Sequence, residues 1–136
     1  MEYNPTKAME YFKRAADMGN HEAQYFCGFF YFESMFGLED PYPHKISMDY
    51  FEKSSKQGNA KSQFQLANLK KNLNHPHNQI FDLLLQSSLS GYSVAIAMMK
   101  NEYEEGNFFW DHRAHSKFFF YFHIIQLKNK NRIFSF

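Results

Sequence analysis

Small and apolar residues recur at three- and four-residue steps from the start of the chain: Ala8, Phe12, Ala15 and Ala16, with Lys7, Glu10 and Arg14 between them. That spacing predicts an amphipathic helix whose small residues let a neighbouring helix approach closely. Asn4 is placed to cap it, and Pro5 fits the first helical position, where a missing N–H loses no hydrogen bond. Gly19 ends the helix in a left-handed conformation and Asn20 caps the next, expected from His21 to about Glu33 with Ala23, Cys27, Phe30 and Tyr31 facing inward. Residues 4–33 therefore read as an antiparallel helix pair.

The phrase Tyr11-Phe12-Lys13-Arg14-Ala15-Ala16-Asp17-Met18-Gly19-Asn20 returns 39 residues later as Tyr50-Phe51-Glu52-Lys53-Ser54-Ser55-Lys56-Gln57-Gly58-Asn59. The second pair carries Met48, Phe51, Ser54 and Ser55 on its A helix and Ser62, Leu66 and Leu69 on its B helix, with Asp40-Pro41 as the candidate cap. Gly37, Pro41 and Pro43 mark Ser34 to Pro43 as an exposed connection. Aligning Gly91 with Gly58 gives a third copy, in which Leu83-Leu84, Ser87-Ser88 and Ala95 replace Tyr50-Phe51, Ser54-Ser55 and Ser62. Tyr92 then stands where a capping asparagine is expected, leaving Ser93 as the substitute cap. A half copy follows, with Gly106-Asn107 as a turn, Asp111 as cap and Phe118-Phe119 in the place of Tyr11-Phe12. A period of this size is the signature of a solenoid, in which stacked units bury one continuous core. The expectation is one all-α domain over residues 1–127, with repeats at about 4–36, 40–73, 76–106 and 111–127, and a tail over 128–136.

Composition narrows the function classes. The 136 residues carry 15 basic and 14 acidic side chains, a formal charge of +1, so no strong field draws nucleic acid or an anionic membrane. Aromatic residues make up 20% of the chain, including 17 Phe and 9 Tyr, so bulky rings are expected between the helix layers. Cys27 is the single cysteine, which excludes an internal disulfide and favours a reducing, cytoplasmic setting. The N-terminus lacks the basic and apolar regions of a signal peptide. The most apolar run, Phe118 to Ile125, is far shorter than the roughly 20 residues that a membrane-spanning helix needs.

The arrangement Ala8, Tyr11-Phe12, Ala15-Ala16, Gly19-Asn20 and Ala23 resembles the Sel-one-like repeat (SLR), a relative of the tetratricopeptide (TPR) repeat. The second copy agrees with serines in place of alanines, the third is partial and the fourth is half a unit, so the resemblance covers roughly residues 4 to 122. It implies a right-handed α-solenoid of about three and a half helix pairs, acting as a non-catalytic scaffold or adaptor for protein partners, with no cofactor. Some members are described as beta-lactamase-like proteins stapled by paired cysteines, a pattern that a chain with Cys27 alone does not share. In related repeats the binding groove is lined mainly by A helices. On that face Lys7, Glu10 and Arg14 of the first copy and Asp49, Lys53 and Lys56 of the second are the candidate partner-binding residues, against the plainer reading of a solvated helix face.

The remaining chemistry-bearing residues point away from catalysis. His112 and His115 have the i, i+3 spacing of a metal pair but lack a third ligand, and His75 and His77 flank Pro76 at a helix start. Cys27 falls in an apolar stripe, where a free thiol is an inert packing residue. Ser54, Ser55, Ser87, Ser88 and Ser90 lack a nucleophile-elbow context, and the scattered glycines form no phosphate loop. Phe118 to Ile125 reads first as a helix packing on the third repeat, with a partner-binding face, including self-association, and a β-prone segment as alternatives. Lys128 to Arg132 is a short solvated basic tail. No polar end face is evident, so the chain reads as part of a longer array or as one whose ends pack on another chain. The competing functions are an RNA-binding helical-repeat protein and the regulatory part of a larger enzyme.

Overall fold

The computed structural model describes residues 5–33 and 43–105. Among them are six helices and no strand: α1 (Pro5–Asp17), α2 (His21–Glu33), α3 (Pro43–Lys56), α4 (Ala60–Asn72), α5 (His77–Leu89) and α6 (Ser93–Glu104). The described part of the protein is all-α, and its principal contacts join helices that follow one another along the chain, α1 on α2 through to α5 on α6.

Three corners join the helices in pairs, and all are built alike. At each, a glycine takes a positive φ: Gly19 at 95°, Gly58 at 91° and Gly91 at 87°. Each glycine N–H donates to the carbonyl three residues back and the next N–H reaches one five back, Gly58 to Ser55 O and Asn59 to Ser54 O in the second pair. This is the Schellman termination, which satisfies carbonyls that the helix end would otherwise orphan. Asn20 and Asn59 then accept from the N–H groups of Ala23 and Ser62 through their side-chain oxygens, each at 2.9 Å. The third corner departs from this. Helix α6 begins at Ser93 itself, so Ser93 lies inside the helix and is not its cap, and Tyr92 instead packs edge-on against Phe64 at 5.6 Å. Helix α4 ends on the same hydrogen-bond pattern with Asn74 at a φ of 57°, a residue tolerant of the left-handed region.

Helix α3 docks between α2 and α4, and Phe51 is the centre of that junction. Its ring is fully buried with Leu66 and Leu69 and flanked by Tyr25, Phe29 and Phe32 of α2. Gly28 makes this approach possible, since a Cβ there would stand 2.7 Å from the ring of Phe51. One pair later the same junction is built from Ala67 and Leu84, both fully buried. A smaller ring-free side chain on the A helix thus goes with a larger residue on the B helix.

Two residues of the expected inward stripes are instead exposed: Phe12 is 39% and Phe30 38% accessible. Helical spacing places both on an apolar stripe, but no described helix lies over that side of α1 and α2. The Asn4 cap, the Asp40-Pro41 cap, the Ser34 to Pro43 connection except Pro43, Gly106-Asn107, Asp111, His112, His115, the 118–125 run and the 128–136 tail lie outside the described residues. Among the described residues no helix is long and apolar enough to cross a membrane.

Gly28→Ala gains about 0.5–1 kcal/mol of helix propensity but forces Phe51 off its position in a packed site, an overpacking cost of about 1–3 kcal/mol. A net loss of stability in urea denaturation is expected. The double variant Gly28→Ala/Phe51→Leu, which copies the Ala67/Leu84 junction, should be less destabilised than the sum of its single changes.

Candidate binding surface

The junctions between pairs are polar as well as apolar. Ser54 Oγ donates to the carbonyl of His21 at 2.7 Å and accepts from Ser62 Oγ at 2.7 Å. In the next junction Ser87 Oγ donates to Ala60 O at 2.7 Å. Ser47 Oγ donates to Gly28 O, also at 2.7 Å. These serines occupy small-residue packing positions, and the first carbonyls of α2 and α4 receive a second bond from them. Asn59 Nδ2 reaches His21 Nδ1 at 3.0 Å, so the amide donates and this ring nitrogen accepts.

Two register-equivalent glutamines show where the pattern runs short. Gln24 donates to Ala16 O at 3.1 Å, and its own oxygen accepts from Gln57 of the following pair at 2.8 Å. Gln63 likewise donates to Ser55 O at 3.3 Å, but its Oε1 is buried without a partner. The position matching Gln57 is Ser90, whose shorter side chain turns back to Gln86 O at 3.1 Å.

Lys7, Glu10, Arg14, Asp49, Lys53 and Lys56 are all solvent-exposed on α1 and α3. Glu10 and Asp49 hold the same repeat position, as do Arg14 and Lys53, and Asp82 of α5 continues the acidic row in a place that the sequence reading passed over. Its signal was the 33-residue register from Asp49. Lys53 is drawn over the ring of Tyr50 at 5.9 Å, Tyr50 stacks on Tyr31 at 6.0 Å, and Lys13 lies over Tyr31 at 5.4 Å. The contact with Tyr31 raises the Lys13 pKa above its ordinary value against the opposing effect of burial. Beside this row a cleft of about 570 Å³ opens between α3, α4 and α5, lined by Glu52, Lys56, Gln63, Lys70, Leu83 and Gln86 among others. A second, of about 540 Å³, lies along the corners between His21, Tyr25, Asn59 and Tyr92.

Compared with protein-family models and with curated proteins, the chain matches none. Its surface must therefore be read from its own chemistry. Among the described residues no three His, Cys, Asp or Glu side chains gather as a metal site would require. His75 is half-buried and His77 exposed on either side of Pro76, at the start of α5. Cys27 is fully buried in the cluster of Met9, Ala16 and Ala23. Burial pushes its thiol up to about 11, with Lys13 opposing. A thiol so held is protonated at neutral pH and is not a nucleophile. The phenols of Tyr25 and Tyr50 are also raised, chiefly by burial.

Ser90→Gln supplies the missing donor to Gln63 Oε1 and is expected to raise the unfolding free energy by about 0.5–1.5 kcal/mol, measured by urea denaturation. The raised Cys27 pKa makes stability depend on pH. The unfolded thiol ionises first, so the stability it contributes is complete below its ordinary pKa of 9.0 and lost as pH rises through about 11. Denaturation curves across that range should show a decline that is smaller in Cys27→Ala, the remaining decline tracking Tyr25, Tyr50 and Lys13, whose pKa values are also raised.

Proposed function

We propose that this chain is a non-catalytic protein–protein interaction scaffold made of SLR-type helix pairs, about three and a half of them, wound as a right-handed α-solenoid. The observation that carries the reading is the recurrence of exposed charges at equal register on successive A helices: Glu10, Asp49 and Asp82 in one row, Arg14 and Lys53 in another. Successive helices that present the same charge at the same height suit an extended peptide, which would meet one unit after another. Lys53, partly immobilised against Tyr50, loses less side-chain freedom on pairing with a carboxylate than a lysine free in solvent. The cleft beside Lys56 and Lys70 accommodates an apolar or amide side chain of the same peptide. A buried protonated thiol at Cys27 and serines committed to structural hydrogen bonds support a role without covalent chemistry.

The test is a tagged pull-down from the native source with mass spectrometry, comparing wild type with a Lys7→Glu/Arg14→Glu/Lys53→Glu variant. The expected result is a protein partner retained by wild type and lost by a variant whose helical circular dichroism is unchanged. Salt-sensitive capture of RNA in place of protein would overturn the reading in favour of an RNA-binding helical repeat. A partner held equally by both forms would remove the A-helix face from it.

A further inference from the structure

The two described junctions between pairs differ in what fills the space beside their buried glutamine. In the first, Tyr31 of α2 stacks on Tyr50 of α3 with ring centroids 6.0 Å apart, and both pack against the cluster around Cys27. An ammonium lies over each ring, Lys13 over Tyr31 at 5.4 Å and Lys53 over Tyr50 at 5.9 Å. The repeat register carries Tyr31 to Lys70 and Tyr50 to Leu83, and these two side chains line the cleft of about 570 Å³ between α3, α4 and α5. The second junction therefore opens where the first is filled by two aromatic rings. Leu66, the counterpart of Cys27, packs in one cluster with Leu83 and gives the cleft an apolar wall.

The polar side of the same cleft lacks a donor. Gln63 is 4% exposed and its Oε1 has no partner, whereas the equivalent oxygen of Gln24 accepts from Gln57 at 2.8 Å. Its Nε2 is held at 3.3 Å to Ser55 O and 3.4 Å to Gln86 Oε1, both long for hydrogen bonds. The terminal torsion of glutamine is broad, so a carboxamide held this loosely can turn its oxygen toward a donor in the cleft. Glu52 adds a second acceptor, and Lys56 and Lys70 add two ammoniums, the latter bonded to Gln79 Oε1 at 3.1 Å. The fitting occupant has a broad, flat apolar body, a hydrogen-bond donor and a face that attracts a cation. An indole meets all three: two fused rings stand in for Tyr31 and Tyr50, its N–H donates, and its face is the best side-chain partner for an ammonium. Phenylalanine lacks the donor, and tyrosine brings a single ring.

Building on the scaffold reading above, we propose that the cleft between α3, α4 and α5 is the pocket for a tryptophan side chain of the partner peptide. The indole lies against Leu66 and Leu83, and its N–H donates to Gln63 Oε1. The cleft volume falls within the roughly 300–1,000 Å³ of pockets that hold small groups.

The experiment is a proton–nitrogen NMR titration of the full 136-residue chain with N-acetyl-tryptophanamide, beside N-acetyl-phenylalaninamide and N-acetyl-leucinamide. The expected result is a saturable shift of the Gln63 side-chain amide and the Leu83 backbone amide. The dissociation constant should be lower for the tryptophan amide than for the phenylalanine amide, and at least about tenfold lower than for the leucine amide. The variant Lys70→Tyr/Leu83→Tyr rebuilds the ring pair of the first junction and should abolish the shift at unchanged circular dichroism. Should that variant lose its helical signal, Leu83→Tyr alone, which copies Tyr50, carries the same comparison. No saturable shift in wild type, equal binding of either other amide, or binding that survives the rebuilt rings would each overturn the proposal. Binding that appears only in Trp110→Phe would assign the cleft to this chain's own tryptophan, which lies outside the described residues, and would overturn it as well. Any of these results, beside a partner still captured through the charged rows in the pull-down, removes the tryptophan pocket and leaves the scaffold reading standing.

Discussion

The contact on which the remaining packing depends is the insertion of Phe51 between α2 and α4, admitted by the missing side chain of Gly28. It sets how closely α3 can lie on the helix before it. That distance in turn lets Ser47 reach Gly28 O and Ser54 reach His21 O. Hydrogen bonds of 2.7 Å across a junction require the helix backbones to be held within a few tenths of an ångström, and a buried ring against a bare Cα does this without a polar atom. The junction of Leu84 and Ala67 obtains the same result by removing bulk from one side and adding it to the other.

Much of the local architecture was legible in the sequence. The glycine-centred corners and the limits of α2 follow from residues that have few other uses at a helix end, Gly for its positive φ and Asn for its side-chain acceptor. What was not legible depends on neighbours. The same three- and four-residue spacing marks Phe12 and Phe51, yet one is 39% exposed and the other fully buried, because periodicity records which side of a helix is apolar and not what lies over it. Ser54 and Ser87 read as small side chains, which they are. Their second role appears only where a carbonyl of the preceding B helix comes within reach. The left-handed turn at Asn74 was missed because asparagine permits that conformation without demanding it.

The charged surface depends on this framework in a direct way. Because the corners satisfy their own backbone groups, the A helices need little help from their exposed side chains: Glu10, Asp49, Asp82 and Arg14 stand outside the fold's main junctions, and Lys53 touches one only through the ring of Tyr50. A position that the fold does not constrain is one where partner chemistry can be written. The cleft beside Lys56 differs, since the buried and unpartnered oxygen of Gln63 at its wall is the one place in the described junctions where polar bonding is incomplete.

Principal contacts that run only between chain neighbours also determine how the molecule bears load. Among the described residues, apart from the Lys71–Glu102 ion pair that joins α4 to α6, the junctions follow one another along the chain, so a force applied along it meets them in series. The weakest therefore yields first while the others keep their shape. Of the two described junctions between pairs, the one between the second and third is where a side-chain polar atom, Gln63 Oε1, is buried without a partner.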